Sequence, residues 1–224
     1  MKVPFWTSEN KRNTSDFANA FSANLSEAMY LPEEFVKFFN WAEKHDCIGS
    51  SVNGEPFIVV DSKVLGPDYI SSIKIHPPKK DEWWLGSDKP DFNSRLKVFA
   101  RTGGDGSSAA FWIDNDGKQQ IVHLGSGSGS VMIGKWVNSP LDFLRLIAIG
   151  YDELCWPEYY KKRPKDLIEP NDEFHPPLQL AQWLKNEYGA TVPQKASEIV
   201  GNMSEIGEPS DDPFCSWIGS TNPP

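Results

Sequence analysis

Residues 97–124 read KVFARTGGDGSSAAFWIDNDGKQQIVHL. Three β-prone runs, at 97–101, 109–114 and 120–124, are separated by Gly103-Gly104-Asp105-Gly106 and by Asp114-Asn115-Asp116-Gly117. Asp and Gly supply the backbone conformations that tight turns need, and turns this short join only antiparallel neighbours. The stretch is therefore an antiparallel meander. A Gly-Ser loop at 125–130, read as flexible, leads from it to another strand at 131–136. On the N-terminal side, Asn53-Gly54 reads as a hairpin turn before a strand at 57–60. The expectation is a sheet of about five to six strands.

Helices flank this sheet. One begins at Ser15, a good N-cap, and aligns Phe17, Phe21, Leu25 and Ala28 on one face. A second follows Leu31-Pro32, with Pro32, Glu33 and Glu34 suited to the first turn and Phe35, Phe38, Phe39 and Ala42 forming the buried stripe. After the strands, Ser139-Pro140-Leu141-Asp142 is a helix start with a good N-cap. Leu141, Leu144, Ile147 and Ala148 face the sheet, and Phe143 and Leu146 make that helix apolar nearly all round, hence deeply buried. Gly150 ends it. A further helix spans 177–188, with Leu180, Trp183 and Leu184 inward and Gly189 as its stop, and a short one is expected within 194–200. Helices, antiparallel sheet, then helices make an α+β fold. The domain reading is a flexible N-terminus at 1–13, an α+β domain at 14–160, a C-terminal helical extension at 161–200 packed on it, and a flexible acidic tail at 201–224. That tail has no basic residue and is rich in Gly, Ser, Pro and Asp, so it is expected to order only on a partner. Residues 77–93 read as a long surface loop carrying Trp83-Trp84.

The chain of 224 residues holds 31 acidic and 22 basic side chains, a net charge of -9. Such a surface repels phosphate backbones, which argues against nucleic acid and favours a basic partner. No apolar run is long enough to span a bilayer, and the N-terminus has no secretory h-region, so a cytoplasmic location is expected. Cys47, Cys155 and Cys215 are odd in number and lack C-x-x-C spacing, which reads as reduced thiols rather than a disulfide or zinc framework.

Catalytic motifs fail on inspection. Gly129-x-x-x-x-Gly134-Lys135 has phosphate-loop spacing, but Trp136 stands where a magnesium-binding hydroxyl is needed. The loop at 114–117 resembles the start of a calcium loop, but its Gly comes too early and position twelve is Gly125. The Gly-Ser loop contains no G-x-S-x-G. His45, His76, His123 and His175 lack metal-ligand spacing, and His123 falls on a strand as a core or rim residue. No cofactor, metal or catalytic set is therefore assigned. Of the nine tryptophans, Trp41, Trp112, Trp136 and Trp183 belong to elements and read as core.

Leu31-Pro32-Glu33-Glu34-Phe35-x-x-Phe38-Phe39, then Phe99-Ala100-Arg101-Thr102-Gly103-Gly104-Asp105-Gly106, then Ala110-Phe111-Trp112-Ile113, in this order, resemble the SUKH superfamily. The stretches 121–126 and 140–146 resemble it as well, so the likeness runs over residues 31–154. A segment from Trp183-Leu184 through Val192-Pro193 to Glu198-Ile199 looks like the tail helix of some bacterial members. The superfamily includes bacterial immunity proteins of polymorphic toxin systems and fungal Smi/Knr-type regulators of cell-wall synthesis. The resemblance implies an α+β fold and protein binding without catalysis. In the bacterial branch it implies neutralisation of a cognate toxin, and in the fungal branch an intracellular scaffold.

Asp81, Glu82, Trp83, Trp84 and Asp88, with Asp105 in the Gly-rich turn, are the candidate partner-binding residues: aromatic anchors ringed by acid. A third reading uses the same Trp residues and the Asp81/Asp88 carboxylates for glycan binding or hydrolysis, which mobile loop residues would serve poorly.

Overall fold

The computed structural model describes residues 15–60, 73–79, 90–169 and 173–221. In chain order the elements are α1 (Asp16–Ser22), α2 (Glu33–Lys44), β1 (Ile48–Ser50), β2 (Pro56–Ile58), β3 (Lys74–Ile75), α3 (Pro90–Arg95), β4 (Leu96–Arg101), β5 (Ser108–Ile113), β6 (Gln119–Leu124), β7 (Met132–Val137), α4 (Pro140–Ile147), α5 (Leu178–Tyr188), β8 (Ser204–Glu205) and α6 (Pro213–Thr221). The strands form one antiparallel sheet in the order β1 to β8. The fold is α+β. Among the described residues eight strands replace the expected five to six, because β3 and β8 are two-residue strands whose pairing comes from distant segments, which local periodicity does not reveal.

The meander follows its turn chemistry. Asp114 Oδ1 accepts from the amides of Asp116 and Lys118, and Gly117 adopts φ 76° to close the β5–β6 turn. Ser15 caps α1 by accepting from the Ala18 amide at 3.0 Å, and Ser139 caps α4 by accepting from Asp142 at 3.0 Å. Gly189 ends α5 in the left-handed conformation, φ 63°. α1 stops at Ser22, so Leu25 and Ala28 lie beyond it.

The central strands are buried on both faces. Phe99, Phe111 and Ile113 pack with Phe21, Phe35 and Phe143 beneath α1, α2 and α4. There the Phe99 and Phe111 rings stand 4.5 Å apart, and Phe35 stacks on Phe143 at 5.5 Å. α5 extends this layer, with Leu180 and Leu184 fully buried and Trp183 against Phe38 and Trp41. Leu96, Val98, Ala110, Trp112, Val122, Leu124 and Ile133 face the other way, into a second core closed by Phe92 of α3 and Phe214, Trp217 and Ile218 of α6.

The second core corrects two expectations. Within 77–93, α3 begins at Pro90 and buries Phe92; residues 80–89 lie outside the described residues. The segment after 200, read as a flexible tail from its composition, instead adds β8 beside β7 and lays α6 over the sheet. The composition is polar, but Phe214, Trp217 and Ile218 recur at helical spacing and meet an apolar sheet face that needs a cover. Trp217 stacks on Phe92 at 5.3 Å, Phe214 meets Trp112 at 5.2 Å, and the Arg95 guanidinium lies 5.1 Å from the Trp217 ring. Asp212 fixes the entry to α6: one oxygen accepts from the Lys135 amide of β7 at 2.8 Å, the other from the Phe214 amide at 2.7 Å.

Phe214→Ala should therefore cost about 3–5 kcal/mol of stability, the range for emptying a buried aromatic site. Urea unfolding followed by tryptophan fluorescence measures it. A loss near zero would mean that α6 does not close the sheet.

Candidate functional site

At one end of the sheet the β4–β5 turn and the β6–β7 loop meet on Asp105. Its Oδ1 accepts from the Ser107 amide at 2.9 Å, and its Oδ2 accepts from Ser107 Oγ at 2.7 Å, Ser126 Oγ at 2.8 Å and the Ser130 amide at 2.8 Å. Burial by itself raises the carboxyl's proton affinity, but the hydrogen bonds from Ser130, Ser107 and Ser126 outweigh it and bring the pKa down to about 2. The Gly-Ser loop is thus held, not loose: Gly129 donates to Ser126 Oγ and Gly127 donates to the Ser130 carbonyl, both at 3.0 Å. Gly129 is glycine for space, since a Cβ there would lie 2.7 Å from Asp105 Cβ.

The same cluster is tied to the chain after α4. Glu153 accepts from the Gly104 amide at 2.6 Å and from Trp156 Nε1 at 2.7 Å, and the Leu154 amide donates to the Thr102 carbonyl at 2.8 Å. Beneath it, fully buried His123 places Nδ1 3.0 Å from the Met132 carbonyl and Nε2 2.9 Å from Thr102 Oγ1. A carbonyl only accepts, so Nδ1 carries the proton and the Thr102 hydroxyl donates to Nε2. Burial holds this imidazole neutral, with its pKa down at about 4, against the opposing pull of the Met132 carbonyl and Asp105. Burial, then the Asp105 and Glu153 charges, push the Cys155 thiol far up. Among the described residues no group of three or more His, Cys, Asp or Glu is placed to hold a metal ion, and no helix is long and apolar enough to cross a membrane.

Beside this cluster lies an open cleft of about 520 Å³ between the β1–β2 hairpin, β3 and the β4–β5 turn. Side chains alternate across a strand, so Phe57, Lys74, Arg101 and Ser108 point away from Ile58, Ile75, Ala100 and Ala109, all buried in the first core or its cluster. The cleft is thus the part of the second face that α3 and α6 leave uncovered. Phe57 forms its floor, lying across Gly49, where a Cβ would come within 2.8 Å of the ring. Lys79 pairs with Glu55 at 3.1 Å on the rim. A second concavity, about 890 Å³, runs along α5 between Trp41, His45, Leu178 and Trp183.

Of the residues singled out from sequence, Asp81, Glu82, Trp83, Trp84 and Asp88 lie outside the described residues; in the chain they follow two residues after rim residue Lys79. Asp105 lines the cleft, but its oxygens are engaged within the protein. Phe57, Lys74, His76 and Arg101 were not singled out. The signal for Asp105's internal role was present in Asp105-Gly106-Ser107, an Asx-turn pattern. The cleft residues had none, because β3 joins the sheet by long-range pairing.

Two outcomes follow from the cluster. Asp105→Asn should lower stability by about 1–3 kcal/mol in chemical denaturation, since an amide turns a donor toward amides and hydroxyls that need an acceptor. Both perturbed groups make the fold acid-sensitive. The His123 pKa is depressed, so its contribution is complete above about pH 6.5 and is lost as pH falls toward 4, with a slope of up to about 1.4 kcal/mol per pH unit. The Asp105 contribution is lost only below that, as pH falls from about 4 toward 2. Denaturant midpoints at pH 7.5, 6 and 5 should decline in the parent chain and lie flat in His123→Gln; parallel declines would remove His123 from the account.

Comparison of the chain with family models, with curated proteins and with solved structures yields no match.

Proposed function

We propose that this chain is a non-catalytic, cytoplasmic protein-binding protein of the SUKH type, acting as an immunity protein that neutralises a cognate, basic toxin domain. The observation that carries the reading is the pair of glycine-rich loops at one end of the sheet, held in one shape from within by Asp105, in a chain whose net charge is -9. A surface ordered before binding loses little entropy when it docks, which favours tight association. The chemistry around the cleft supports binding over catalysis. Cys155 is driven toward the thiol, His123 toward the neutral buried ring, and Asp105 has its oxygens occupied.

The net charge of -9 fits a basic partner, because nuclease toxins are basic where they grip nucleic acid. In the sequence, the acid-and-tryptophan segment Asp81-Glu82-Trp83-Trp84 supplies the negative charge and the aromatic anchors that such a partner would meet.

Co-expression with the product of the gene immediately upstream tests this. The chain should restore growth to cells making that toxin, and Asp81→Lys, Glu82→Lys and Asp88→Lys together should slow association at least about tenfold at low salt. Failure to rescue against every neighbouring toxin candidate would overturn the reading.

A further inference from the structure

The cleft contradicts the charge of the protein that carries it. Lys74 of β3 and Arg101 of β4 are register partners, directly opposite one another on the same exposed face. Like charges in that relation, with Cβ atoms about 5 Å apart, disfavour the sheet. Among the described residues neither has a carboxylate within ion-pair distance. Each turns instead to a neutral group: Lys74 Nζ stands 5.1 Å from the Phe57 ring, and Arg101 donates to the carbonyls of Gly103 at 2.8 Å and Gly104 at 2.7 Å. Among the described residues, the two carboxylates lining the cleft are both in use, Glu55 by Lys79 and Asp105 by its serines. His76 shares the lining. Among the described residues, three cations against two engaged carboxylates leave this cleft positive in a chain whose net charge is -9.

We propose that this cleft receives a short acidic peptide segment of a partner protein, with a carboxylate between Lys74 and Arg101 and an adjacent apolar side chain on Phe57 and Pro56. A carboxylate between them would convert a repulsive cross-strand pair into a bridged one. Arg101 keeps its fork partly spent on carbonyls, so it is held in position for an acceptor. Phe57 is kept flat on the floor by the space that Gly49 leaves, which provides an apolar contact that a bare phosphate would not use. About 520 Å³ lies within the usual size of ligand clefts. A nucleic-acid backbone is disfavoured because its many phosphates would also meet the acidic remainder of the surface, whereas a short segment feels mainly the cations within a Debye length, about 10 Å. This inference does not rest on the toxin reading and concerns a surface of opposite sign from the 81–88 segment.

The test uses the full chain and a fluorescein-labelled peptide, Glu-Leu-Asp-Phe-Glu-Leu, read by anisotropy at 20 and 300 mM salt. Saturable binding that weakens with salt is expected. It should weaken at least tenfold in Lys74→Glu and several-fold in Lys74→Met, and be unchanged in Lys118→Glu on the β5–β6 turn; Lys74→Met guards against a charge reversal that fails to fold. Gly49→Ala, which displaces the Phe57 ring, should weaken the peptide while leaving a free acetate titration unaltered. Absence of saturable binding, an equal loss in Lys118→Glu, or tighter binding of a Lys-Leu-Lys-Phe-Lys-Leu peptide or an oligothymidine would each overturn the proposal. None of these outcomes bears on growth rescue, so the two readings fail separately.

Discussion

Phe111 and Trp112 are neighbours in β5, yet one lies beneath α2 and α4 and the other beneath α6. Both are essentially removed from water. This two-sided burial is the constraint from which the architecture follows. A sheet with one wet face needs one helical layer; β4 to β7 are apolar on both, so a second cover is obligatory. α1, α2, α4 and α5 close the first face. Among the described residues, α3 and the C-terminal α6 close the second over the central strands. Among the described residues, that face is open beside the shorter strands β1 to β3, where the cleft lies.

The polar cluster at the loop end has a different role. Asp105, Glu153, Thr102 and His123 join the β4–β5 turn, the β6–β7 loop and the chain after α4 through contacts made almost wholly within the protein. Such a network resembles a catalytic constellation in composition, with His, Asp, Ser and Cys side by side. Burial holds the His123 ring neutral and pushes the Cys155 thiol up, and Asp105 spends its oxygens on serine donors. The network's effect is to hold two glycine-rich loops in one shape beside the cleft.

The alternation of apolar runs with Asp-Gly and Gly-Gly turns made the central meander legible, and Ser15, Ser139 and Gly189 marked helix boundaries where they occur. The burial of Phe35, Phe38, Phe39, Trp112 and Trp136 followed from the same patterns. Periodicity alone extends the N-terminal helix too far, since Leu25 and Ala28 continue the period after the backbone has left it. The Gly-Ser loop was read as flexible because composition speaks of intrinsic freedom, while Asp105 lies about twenty residues away in the chain. Composition misleads on the tail for a similar reason: a handful of apolar residues in a polar segment are too few to form a core alone, but enough to complete one.

The amino-acid order by itself determined the local units: which stretches extend, where they turn, which helix faces are apolar, and that the whole carries excess negative charge. These depend on neighbours a few residues apart, so they can be read along the chain. The tertiary structure decided that Lys74 faces Arg101, that Phe57 lies over Gly49, and that Phe214 and Trp217 roof Trp112. Those pairings arise from a two-residue strand, a bare glycine and a distant terminal helix. Their energies come from long-range burial and register, which exist only once the sheet has assembled.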